Sequence, residues 1–200
     1  MKEITIKITF TEEVLGSAPA NQDIYKDYIA SRSPDAATLE EEIAAVGTDA
    51  VEEKQMTIFP KMTIDDKAVP FVYDYQIRGF FKEMCGIIKK IDKTKSAGIK
   101  AHKKLIDNMV FVKPRQIPLE LNGGEIGICQ RPLRASTPQG ERVALAMSET
   151  APIGSTLTFT VVLMDDSTEA ALMEWLDYGQ WKGFGQWRNS GKGRFTYEIA

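Results

Sequence analysis

Between Lys182 and Arg194 the cations Lys182, Arg188, Lys192 and Arg194 alternate with glycines at 183, 185, 191 and 193, and no acid follows until Glu198. Such a mixture suits oxyanions, because bare backbone N–H groups can lie near phosphates while Lys and Arg supply charge. Two common glycine motifs fail here. A dinucleotide fingerprint must open a helix after a first strand. These glycines instead follow a helical stretch and precede the strand-like FTYEI. A GxxxxGK[ST] phosphate loop is excluded because Lys192 is followed by Gly193. Trp181 and Trp187 flank the turn, where one can stack on a base for about 1–3 kcal/mol or pack across a subunit interface.

A second cationic run holds Lys89, Lys90, Lys93, Lys95, Lys100, His102, Lys103 and Lys104, with Asp92 the one acid before Asp107. The spacing of Lys89, Lys93, Lys100 and Lys104 predicts several of them on one helix face. That face either tracks phosphates or is simply solvated. Neutralising about 4–6 phosphates would make binding clearly salt-dependent. His102 is the sole histidine, which removes Ser-His-Asp and Cys-His catalysis unless it serves alone. It has no Tyr or Ser at clear spacing, and we read it as a surface residue. Glu141 and Glu149 near Arg142 read as surface charges, without support for paired-carboxylate catalysis. Cys85 and Cys129 lack CxxC spacing, so a reduced, cytoplasmic protein without zinc is expected. No catalytic residue, metal or cofactor is assigned.

These groups need elements to hold them. Ile4, Ile6, Ile8 and Phe10 alternate with Glu3, Thr5, Lys7 and Thr9, which predicts a half-buried strand and leaves no signal-peptide core. From Asn21 to Val46 the chain reads as helical, with Ser33 as a cap and Pro34 at a first helical position. The residues from Asp35 to Glu53 carry seven acids and no base, whereas the other 21 acids face all 25 bases. We read 21–53 as an acidic helical insertion into one domain spanning 1–200. QMTIFPKM is a predicted strand and IDDKAVPFV a turn and linker. Ile77, Phe80, Phe81, Met84, Ile87 and Ile88 form a helical stripe with Asp74 as its cap, and Gly79 there permits close backbone approach. MVFVKPRQIPLEL and NGGEIGICQRPLR predict a projecting hairpin over 109–135, with Lys113, Arg115, Arg131 and Arg134 along it. ERVALAMSET and STLTFTVVL are strands; STEAALMEWLDYG is a helix with Trp175 inward.

Without its insertions this order is βαββαβ, an α+β, ferredoxin-like sheet with both helices on one face. The composition is 43% hydrophobic, enough for a core, and the net charge of −3 excludes nothing. No apolar run approaches the roughly 20 residues that span a bilayer, so no membrane partner is expected.

The order E…AP-x-GS-x-L-x-F-x-V, short helix, G-x-G-x-x-R-x-x-G-x-G-R-F resembles the RAMP superfamily of CRISPR-associated proteins, specifically the repeating backbone subunits of RNA-guided effectors. VLGSAP and YDYQIRGFFKEM match in order, the latter where the family has a Pro-Gly-Ser-Ser-Leu-Lys-Gly start to its first helix. The resemblance implies a non-enzymatic protein that binds single-stranded guide RNA, lines up side by side with its own copies, and presents a thumb hairpin. A complementary nucleic-acid target is a further implied partner. It implies RNA contacts at Arg78, Phe80 and Lys82, and at Arg188, Asn189, Ser190, Lys192 and Arg194; to these we add Lys100, Lys103 and Lys104 from the basic run. The family's Ser-Ser pair is replaced by Tyr75-Gln76-Ile77, the acidic insertion is unusual, and Asp23 lacks the motif of the RNA-cutting aspartate. Two alternatives remain: a phage-encoded mimic of an effector subunit that blocks the defence, and a metal-independent RNA endonuclease using His102.

Overall fold

The computed structural model describes residues 1–20, 56–137 and 140–200, with backbone alone for 132–145. The expected helical insertion over 21–53 lies outside the described residues, as does the Arg134 side chain. Strand β1 (Lys2–Phe10) buries Ile4, Ile6, Ile8 and Phe10, as its alternation predicts. It runs antiparallel to β11 (Thr156–Leu163) on one side and to β12 (Phe195–Ile199) on the other, with Ile6 opposite both Phe159 and Ile199. Strands β7 (Val110–Lys113) and β8 (Gln116–Glu120) both pair with β11, and β6 (Lys67–Tyr73) and β5 (Lys61–Ile64) extend the sheet beyond β8.

Helix α1 (Asp74–Ile88) buries Ile77, Phe80, Phe81, Met84 and Ile88, and helix α3 (Glu169–Lys182) buries Leu172, Trp175 and Leu176. The two helices meet closely: a Cβ at Gly179 would stand 2.3 Å from Phe80 Cζ, so only glycine admits that ring. The core order β1-α1-β7/β8-β11-α3-β12, all antiparallel, is the α+β ferredoxin-like arrangement.

Four local expectations change. The N-cap of α1 is Tyr73, whose N–H donates to Gln76 Oε1 at 2.9 Å, and Asp74 is the first helical residue. The segment read as a turn and linker is the β5–β6 hairpin. Its Asp65-Asp66 corner has φ of 48° and 59°, the primed-turn geometry usually announced by Asn-Gly. The lysines of the basic run do not share a helix face, because α1 ends at Ile88 and α2 (His102–Met109) starts only after a turn. Lys93 turns the chain with φ of 68°, and the Glu174 carboxylate then accepts the N–H groups of Lys95 and Ser96 at 2.6 and 3.0 Å.

The hairpin expected over 109–135 is divided. Its first part is β7 and β8, integral to the main sheet, because Val110, Val112, Ile117 and Leu119 alternate inward and are buried. The projecting element is β9 (Gly127–Thr137) with β10 (Gly140–Ala151), paired in register from Gly127–Thr150 to Thr137–Gly140. At about 3.4 Å per residue such a strand pair extends roughly 35 Å. Its root joins a second sheet with β2 (Val14–Leu15), β3 (Ala18–Pro19) and β4 (Met56–Ile58). No helix among the described residues is long and apolar enough to cross a membrane.

Candidate nucleic-acid interface

The glycine loop is tied to itself. Gly183, at the end of α3, has φ of 83°, and Phe184 turns inward against Phe10 and Phe80 with ring centroids 6.4 and 5.8 Å apart. Phe184 N–H donates to the Gly193 carbonyl and Gly193 N–H to the Glu13 carbonyl, both at 2.8 Å. At Gly193, φ is 72° and a Cβ would fall 1.9 Å from the Phe184 carbonyl oxygen. The N–H groups of Ser190 and Gly191 are likewise spent on Trp187 and Arg188 carbonyls. Much of the glycine content therefore closes the loop onto residues 13–15. Trp187, Arg188 and Asn189 are left at its tip.

Several of the cations assigned from the sequence already hold acids. Arg188 Nη1 donates to Glu83 Oε2 at 2.9 Å, across from the loop to α1. Lys192 Nζ donates to Glu13 Oε2 at 2.5 Å, and this bond pushes the Lys192 pKa up. Arg78 meets Asp74 one turn away at 3.1 Å, and Lys82 pairs with Asp107 of α2. Arg194 is exposed and has no ion pair among the described residues, while its carbonyl accepts from Thr11 and Glu12. Asn189 and Ser190 are exposed, and Ser190 Oγ donates to the Trp187 carbonyl at 3.0 Å.

Three clefts open about α1 and the glycine loop. One of about 400 Å³ lies over Tyr75, Arg78, Gly79 and Lys82. A second, about 180 Å³, runs from Ser17 and Gln76 past Glu83 to Gly185 and Arg188. A third, about 300 Å³, continues over Gly185 to Asn189. Arg131, at the hairpin root, joins the far end through Gln186, whose Oε1 accepts from Arg131 Nη2 at 2.9 Å. Arg115 sits at the near end, where its carbonyl accepts from Asp74 N–H and its guanidinium lies 5.9 Å from the Tyr73 ring centroid.

The face thus gathers Arg78, Lys82, Arg115, Arg131, Arg188 and Asn189, with Lys192 and Arg194 at the loop base. Lys113 is elsewhere, held by Glu3 of β1 at 2.8 Å. Lys100, Lys103 and Lys104 are exposed around α2, where Lys100 and Lys104 rim a groove of about 690 Å³ floored by Ile99, Leu105 and Met109. Gly79 has open space above it: among the described residues an added Cβ would meet nothing within 4 Å. His102 is half-buried, its Nδ1 3.4 Å from Lys89 Nζ, and burial followed by Lys89 and Lys103 pushes its pKa below the ordinary histidine value.

Sequence reasoning singled out cations and missed their partners Glu13, Glu83 and Asp107, which are remote in the chain. Of the four pairs only Asp74–Arg78 carries a readable signal, its (i, i+4) spacing. Gln76 and Gln186 were also missed. Gln76 Nε2 donates to Ser17 Oγ at 2.7 Å, and Gln186 Nε2 to the Gly16 carbonyl at 3.1 Å. Together they stitch α1 and the loop to the β2 turn.

No protein-family model matches the chain, and no curated protein matches it. Solved structures do. A chain of the Type III-B Cmr-beta complex bound to cognate target RNA aligns with a TM-score of 0.54 and 10% identity, over 99% of this chain and 61% of that one. A chain of a Type IV-B CRISPR complex aligns with a TM-score of 0.49 and 10% identity, over 100% and 90% of the two chains. The first likeness is one of fold, and this chain spans about three fifths of that chain's length.

Proposed function

We propose that this chain is a non-enzymatic, RAMP-type subunit that binds a single-stranded guide RNA within an RNA-guided ribonucleoprotein and stands beside further copies of itself along that RNA. The observation that carries the reading is the set of three clefts about α1 and the glycine loop, each lined by a cation, two of them sharing Gly185 and Arg188, with Arg131 tied to the loop through Gln186. The fold likeness to a chain of an RNA-bound Cmr complex supports it.

The test is fluorescence anisotropy with a labelled single-stranded RNA of about 36 nucleotides, between 50 and 200 mM salt. About 3–5 phosphate contacts give a log–log salt slope of roughly −2 to −3.5 on a single strand. The same RNA, recovered afterwards, should be intact. Salt-independent or absent binding would sink the RNA reading and favour the protein-binding mimic, to which already-paired cations are no obstacle. Cleavage lost in His102→Ala would replace it with the endonuclease.

A further inference from the structure

Arg131 is only 9% exposed, yet among the described residues its buried Nε and Nη1 have no hydrogen-bond partner, and Nη2 alone is engaged, by Gln186. An unpartnered buried cationic donor is costly, and each one in a native fold needs an explanation. Its cover is Trp187, whose ring centroid lies 5.3 Å from the guanidinium carbon. A ring compensates part of a desolvated charge but does not replace an oxygen acceptor. Trp187 is itself held awkwardly. Its φ of 53° and ψ of 35° are left-handed, sparsely populated for a bulky residue, and the side chain remains 40% exposed. The 300 Å³ cleft over Gly185 to Asn189 opens beside it, with Arg188 on its wall.

We propose that the Arg131 guanidinium is a phosphodiester-binding site latched shut by Trp187 in the free protein, and that a bound strand engages it as the Trp187 ring lifts. The inference rests on the RNA-binding reading and adds the site and its latch. An unesterified phosphodiester oxygen can accept from Nη1–H or from Nε–H; these two donors lie on different edges of the guanidinium, so each contact is a single charge-assisted bond. The lifted ring becomes available to stack on a neighbouring base, and the left-handed backbone at Trp187 is free to relax.

The experiment uses the full chain carrying Trp181→Phe, a substitution at a position 74% exposed, so that emission reports Trp175 in the core and Trp187 on the loop. Titration with oligo(U) of 36 nucleotides should change the emission, and Trp187→Phe should abolish that change. Arg131→Met removes the stranded donors while keeping the stem; it should leave thermal stability equal or higher and weaken RNA binding by about tenfold or more. Wild-type RNA affinity in Arg131→Met overturns the proposal while leaving the RNA reading intact. Absence of RNA binding by the parent chain is the separate failure of that reading. Should Arg131→Met fold poorly, unchanged emission at RNA saturation overturns the latch on its own. Poly(glutamate) reproducing the emission change and competing with oligo(U) would make the ligand a protein carboxylate and overturn the phosphate assignment.

Discussion

Gly193→Ala should damage the fold far more than its place in an exposed, basic loop suggests. The native φ of 72° costs a non-glycine residue about 1–2 kcal/mol. A Cβ 1.9 Å from the Phe184 carbonyl cannot stay there, so the Phe184 N–H to Gly193 carbonyl bond at 2.8 Å must break, at about 1 kcal/mol. Phe184 is buried against Phe10 and Phe80, and displacing even part of its ring adds about 1 kcal/mol. The sum is roughly 3–4 kcal/mol, or a fall in Tm of about 10 °C for a chain of this length. The control is Gly123→Ala, where φ is 86° but an added Cβ meets nothing within 4 Å, so only the backbone strain is charged. Both variants are compared by urea denaturation and thermal melting followed by circular dichroism. Equal losses within about 0.5 kcal/mol would refute the close approach of the two loop arms and return the glycines to a phosphate-facing role.

Gly79→Ala, with open space above it, should stabilise α1 by about 1 kcal/mol; a melt that falls would show that something in the chain does approach Gly79. Glu83→Gln and Glu13→Gln free Arg188 and Lys192 from their acids, so RNA affinity at 50 mM salt should rise a few-fold if those cations serve the strand; a fall would make the pairs purely structural. Burial and the hydroxyl's bond to Asp177 at 2.7 Å push the Tyr197 pKa up to about 12. A raised folded pKa means stabilisation that is whole below about pH 10 and is lost as pH climbs through about 12. The melting curve of Tyr197→Phe should therefore be less pH-sensitive in that window than the parent's. Lys89→Met removes the cation beside His102, and the imidazole pKa, read by proton NMR, should move up towards its ordinary value; no movement would remove Lys89 as a cause.

Elements with strong period were legible, because burial writes directly into residue choice. The Ile4-Ile6-Ile8-Phe10 alternation, the stripe from Ile77 to Ile88 apart from the half-buried Ile87, and the inward Trp175 stand where their spacing puts them. Pairing was less legible. Val110 to Leu119 alternates just as a projecting hairpin would, and only the partner, β11, distinguishes a core strand from a thumb. The Asp65-Asp66 corner hid a hairpin because two acids carry the turn that Asn-Gly usually marks. The basic run misled for a different reason: helical spacing was assumed across Lys93, whose left-handed backbone breaks it, and the carboxylate that anchors the new direction, Glu174, is remote in the chain. At the site, residue type identified the cations; their acids, and the orphaned donors of Arg131, are properties of three-dimensional neighbours alone.

Those acids change what cationic residues on a nucleic-acid face can mean. Arg188, Lys192, Arg78 and Lys82 each face a carboxylate, so the face is less positive than its residue list implies. On the RNA-binding reading proposed above, a strand exchanges acid for phosphate at each of these positions, and the gain per contact is then a difference between two charge-assisted bonds, not one whole bond. Such exchange weakens nonspecific attraction while holding each side chain in a fixed direction before the strand arrives, which reduces the ordering entropy lost on binding. Arg194, without an ion pair among the described residues, and Arg131, buried with donors to spare, are the exceptions. The first can attract a phosphate from solution, and the second gains most once water is excluded. With RNA as the proposed ligand, a face built this way would favour a strand that reaches all three clefts over one that touches a single cation.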